Sequence, residues 1–127
     1  MGMEHVVRFP KGAVPPLSQV IALLAEHNFS VQVRMVDGQL TLPGEVPPDR
    51  WSEVRLGTSG GMVTLTRRGD ELAVVIWGNA DASMQNAWNA VAWGVARVGQ
   101  GKIVQREGLQ EPSEFRASVP MPDSMQH

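Results

Sequence analysis

Few side chains in this sequence could do chemistry, and their spacing joins none of them into a catalytic set. The 127-residue chain carries three histidines, His5, His27 and His127, and no cysteine. No HxH or HExxH pair occurs, so no metal centre is expected. The absence of thiols removes disulfides, thiolate ligands and a cysteine nucleophile. His27 ends an apolar periodic segment, where a cation complements a helix C-terminus. Asp37 and Asp70 fall in turns, Asp81 precedes a helix as a cap, and Glu26, Glu45 and Glu53 fall on a helix end or in a loop. No two acids are spaced to share a proton.

The glycine-rich stretch "GTSGG", Gly57 to Gly61, resembles the serine-protease signature, with Thr58 in place of aspartate. The chain is too short for that fold and offers no His and Asp partners. A phosphate loop needs a strand before the glycines and a helix after them. Here the strand-like "MVTLT" follows, so the plainer reading is a flexible entry to a strand. What remains open is anion binding by the amides of Gly60 and Gly61. Asn79 stands at a strand-to-helix junction, where a polar side chain can orient a ligand or form the turn. Trp51, in a Pro/Gly-rich segment, is either a plug for the sheet end or a ligand contact. Trp51, Gly60, Gly61 and Asn79 are the candidate ligand-binding residues, with neither a cofactor nor catalytic residues expected.

Composition narrows the classes further. The formal charge is −2 and only 19% of residues are charged. Arg67-Arg68 is the only adjacent basic pair, so the clustered basic face that nucleic acid demands is missing. No apolar run reaches the ~18–20 residues that span a bilayer. The N-terminus "MGMEHVVRFPKG" lacks the basic head and apolar core of a signal peptide, and Val6 stands where a myristoylation signal wants Ser or Thr. A cytoplasmic protein bound to neither nucleic acid nor membrane is the expectation.

The elements that must position these residues read as β-α-β-β-β-β-α-β. His5–Phe9 is a strand. Pro15 and Pro16 open a helix whose stripe is Leu17, Val20, Ile21 and Leu24. "SVQVRMV" and "QLTLP" form a hairpin about Asp37-Gly38. "GEVPPDRWSEVRLGTSGG" reads as a long connection with a short helical turn at Pro48–Glu53. "MVTLTRR" and "ELAVVIWG" are strands, the second apolar on both faces and so central. A helix over Asp81–Val98 ends at Gly99 and Gly101, and "KIVQ" is the last strand. The expected fold is a two-layer α+β sandwich, a mainly antiparallel sheet of about six strands with both helices on one face. Residues 1–106 form the domain; 107–127 read as an irregular, partly disordered tail.

The second helix raises the sharpest question. On a helical wheel Met84, Ala87, Trp88, Val91, Val95 and Val98 share one stripe, with Gly94 at its flank to allow close approach. Trp93 falls opposite, among Asn86, Asn89 and Arg97. The tail could fold over it, a partner chain could cover it, or it could be exposed. Trp93, Asn86, Asn89 and Arg97 are therefore the candidate partner-binding residues.

The apolar strand, the segment "AWNAVAWGVARVGQGKIV" and the short strand after its glycine resemble small bacterial domains of toxin-immunity neighbourhoods. That resemblance covers about thirty residues and implies a non-enzymatic protein that binds and blocks a partner. The functional expectation is a non-catalytic, cytoplasmic protein-interaction module of immunity or adaptor type. The alternative is a small-molecule-binding domain or small enzyme with its site near Trp51, Gly57–Gly61 and Asn79. Because "ELAVVIWG" has a second apolar face in need of cover, a two-fold homodimer is expected as well.

Overall fold

The computed structural model describes residues 2–10, 14–42, 45 and 50–125. In chain order the elements are β1 (Met3–Arg8), α1 (Leu17–Glu26), β2 (Val31–Val36), β3 (Gln39–Leu40), β4 (Glu53–Thr58) and β5 (Gly61–Arg68). After them come β6 (Glu71–Ile76), α2 (Ala82–Gly99), β7 (Lys102–Gln105), β8 (Gly108–Gln110), α3 (Pro112–Ser118) and a 3₁₀ turn, Asp123–Met125. The fold is α+β. One sheet of 8 strands runs in the order β3-β2-β4-β5-β6-β1-β7-β8, and every pairing in it is antiparallel.

Local sequence explains most of these elements. Asp37 and Gly38 both take positive φ, 50° and 83°, as a two-residue hairpin turn requires. The Asp37 carboxylate then accepts the amides of Ser52 (2.8 Å) and Glu53 (2.9 Å), tying the turn to the start of β4. Those two bonds, Glu53 first, hold its carboxyl below the usual carboxylate range. Helix α1 buries Leu17, Val20 and Leu24. Asp81 caps α2 by accepting the Met84 amide at 2.8 Å. Gly94 seats Leu24 of α1, since a Cβ there would lie 3.0 Å from its Cδ2.

Alternation divides the sheet into two faces. Val7, Leu72, Val74, Leu65, Val54, Leu56, Val63 and Ile103 line one face and are all fully buried. Helix α2 lies on that face across β5, β6, β1 and β7, with α1 and α3 packed beside it.

Three expectations needed correction. The supposed connection 44–61 contains β4, a central strand between β2 and β5; Val54 and Leu56 alternate, but the surrounding prolines and glycines mask the pattern. Of the proposed helical turn at Pro48–Glu53, Pro48 and Asp49 lie outside the described residues, and Glu53 begins β4. The tail is not irregular through 107–125. It adds β8 and α3, and it buries Phe115, Met121 and Met125. Helix α3 forms although short because Pro112 opens it and Glu111 and Glu114 make a reciprocal capping box. The class stands, with eight strands and three helices in place of six and two.

Candidate functional site

Trp93 is not an exposed anchor. It is 4% exposed, with the His27 ring edge-on at 5.0 Å and the Arg116 guanidinium 4.5 Å above its indole. Helix α2 is covered on three sides, by the sheet, α1 and α3, which is why Asn89 through Ala96 form an unbroken buried run. The folded-back tail is what covers Trp93. Trp88 faces the sheet as expected, and its indole N–H donates to the Val74 carbonyl at 2.7 Å.

Asn89, assigned to the surface by the wheel, is 5% exposed. Its Nδ2 donates to the Pro120 carbonyl at 2.9 Å. That leaves Oδ1 to accept from His5 Nε2 at 2.8 Å, which places the ring proton on Nε2. The imidazole stacks on Trp88 at 3.6 Å and meets Phe115 edge-on at 4.9 Å. Burial pushes His5 below its ordinary pKa, and the bond to Asn89 opposes part of that shift. This network therefore fastens β1, α2 and the C-terminal segment together. Of the four proposed partner contacts, only Arg97 is exposed; Asn86 is half-buried.

The proposed ligand residues do not converge. Trp51 is buried under the Arg67 guanidinium, 4.6 Å from its ring, so it plugs the sheet end. It precedes the start of β4, whereas Gly60 and Gly61 follow the end of that strand, roughly 20 Å away at the usual rise per residue. The Gly60 and Gly61 amides both donate to Thr58 Oγ1 at 3.1 Å, leaving neither for an anion. Gly60 is needed for contact, because a Cβ there would run into the Ser83 carbonyl oxygen in the first turn of α2. Asn79 is exposed beside that turn, at the opposite end of the sheet from Trp51. Among the described residues no group of three or more His, Asp or Glu could hold a metal ion, and no helix is long and apolar enough to cross a membrane.

The sheet's second face is bare of helices among the described residues. Register places Glu4, Val6, Arg8, Glu53, Arg55, Thr64, Thr66, Arg68, Glu71, Ala73 and Val75 on it. Arg68 on β5 reaches across β6 to Glu4 on β1, with paired contacts of 3.2 and 3.1 Å. Arg8 grips Glu71 with its Nε at 2.8 Å and its Nη2 at 2.7 Å. The Arg68–Glu4 arch spans β6, where Ala73 and Val75 are both buried, so the second apolar side of that strand is shielded within the chain. The ion pairs stop short of one corner. There Trp77 is 62% and Met62 40% exposed, and the indole lies against Gly2, where a Cβ would come within 2.8 Å of the ring. The sequence showed a second apolar face on "ELAVVIWG", the segment that carries Trp77, without marking Trp77 as a site residue; its place at the open end of an otherwise flanked strand was the available signal. No family model, curated protein or solved structure matches the chain.

Proposed function

We propose that this chain is a non-catalytic protein-binding module whose partner docks on the bare sheet face around Trp77 and Met62. The observation that carries the reading is a largely exposed tryptophan on a helix-free face, at the border of a lattice of ion pairs. An aromatic anchor beside a charged, hydrated surround is the usual anatomy of a binding hot spot. The resemblance of the α2 segment to toxin-immunity domains agrees with an immunity or adaptor role in a bacterial cytoplasm. With Trp93 covered, self-association falls to this same corner.

The test places a photo-crosslinking side chain at Met62 and at Gln19, an exposed position on α1. Adducts from Met62 that vanish with Trp77→Ser, and no matching adducts from Gln19, are expected. Light scattering separates the occupants: a dimeric mass that Trp77→Ser makes monomeric identifies a second copy. Equal labelling from both positions, unaffected by Trp77→Ser, overturns the reading. The small-molecule alternative is less favoured, because Trp51 lies at the far end of the sheet from Gly60, Gly61 and Asn79 and cannot share a pocket with them.

A further inference from the structure

A second feature lies away from that face, where α1, α2 and α3 meet. A cavity of about 530 Å³ is lined by His27, Trp93, Arg97, Glu111, Ser113 and Arg116, together with Pro112. Trp93 and Arg97 are four residues apart on α2, so their side chains emerge side by side. Arg116 enters from α3, its guanidinium carbon 4.5 Å from the centre of the Trp93 indole.

Its charge is unbalanced. Among the described residues, neither guanidinium meets a carboxylate. Arg116 Nη2 donates to the Met125 carbonyl at 3.0 Å and Nη1 lies 3.4 Å from His27 Nδ1. A guanidinium has five donors, so most of its fork remains free, and Arg97 makes no hydrogen bond among the described residues. The one acid lining the cavity is engaged elsewhere: Glu111 pairs with Lys102 at 3.3 Å and takes part in the α3 capping box. Holding a half-buried cation without a counter-charge is costly unless an anion completes it, and guanidinium forks match the paired oxygens of phosphate and carboxylate.

We propose that this cavity binds a small oxyanion, a phosphate or carboxylate group held by Arg97 and Arg116 against the Trp93 indole. Trp93 fixes the plane of Arg116 by stacking, Arg97 closes the open side, and Ser113 supplies a neutral hydroxyl.

The experiment titrates the full chain with inorganic phosphate, methyl phosphate and succinate, at ionic strength fixed with sodium chloride, reading thermal midpoint and heat. Phosphate raises the stability of many proteins by exclusion from their surface, without saturating. A saturable heat, with a midpoint that rises with the logarithm of ligand concentration rather than in proportion to it, is therefore the expected result, and the arm that produces it separates a phosphate source from a carboxylate one. Arg97→Gln, at an exposed position without a partner among the described residues, should fold normally and weaken binding at least about tenfold. Arg116→Lys keeps the charge but loses the fork, and should weaken it as well. No saturable response in any arm, or an equal response in Arg97→Gln, overturns the proposal.

Discussion

Replacing Asn89 with alanine tests whether the buried link between β1, α2 and the C-terminal segment stabilises the fold. The substitution deletes an acceptor for His5 Nε2–H and a donor for the Pro120 carbonyl in one step. The half-buried imidazole, packed between Trp88 and Phe115, loses its acceptor, a loss of about 1–3 kcal/mol. Pro120 is exposed, so its carbonyl recovers water and adds about 0.5–1 kcal/mol. The expected total is about 1.5–4 kcal/mol, read as a lower urea midpoint with an unchanged slope. A loss below about 0.5 kcal/mol, the range of inconsequential surface changes, would refute the reasoning.

The same network sets a pH dependence with a definite sign. Burial lowers the pKa of His5 in the folded state, so the unfolded chain binds the proton more readily. Stability from this group is complete above the unfolded value, about 6.5, and is lost as pH falls through the folded one. Asn89→Asp keeps an acceptor but adds a negative charge, which favours the imidazolium and should shrink or reverse that slope. A variant with the wild-type slope would show that His5 is not the titrating group.

Two further outcomes follow from packing. Trp93→Ala and Phe115→Ala should each cost about 3–5 kcal/mol in urea unfolding, because both side chains are buried within their own chain; a Trp93→Ala loss near zero would mean that the α3 cover is not formed in solution. Gly60→Ala should cost about 1–3 kcal/mol by driving a methyl group into the Ser83 carbonyl, and an unchanged midpoint would show that the β4–β5 turn does not abut α2.

What the sequence revealed and what it hid differ in range. The Asp37-Gly38 turn, the Asp81 cap and the two-faced β6 depend on neighbours within one or two turns of chain, and all were legible; the place of Gly94 on its helix announced a close approach, but not that Leu24 of α1 makes it. The environment of α2 was not. A helical wheel assumes one covered side, whereas His27 and Arg116 reach Trp93 from other helices. Likewise, His5 and Asn89 are 84 positions apart, so no local pattern pairs them. Helix α3 was hidden by its length: seven residues show no periodicity, and Phe115 is its one buried side chain.

The bare face carries the remaining lesson. A strand apolar on both sides suggested a missing second layer, yet Ala73 is 0% and Val75 5% exposed with no layer present among the described residues. Small side chains between Thr64 and Thr66 on one strand and Glu4 and Val6 on the other are covered by taller neighbours, and the Arg68–Glu4 arch passes over them. Such half-exposed ion pairs contribute little stability, about 0–1 kcal/mol each. Their effect here is to exclude water from β6 while keeping the surface charged, which also discourages indiscriminate face-to-face association. Trp77 has no such flank: Gly2 beside it has no side chain to rise over the ring, and Met62 is itself exposed. The shielding ends where the large aromatic begins, and that boundary, rather than the apolar run of β6, is where the proposed partner would have something to bury.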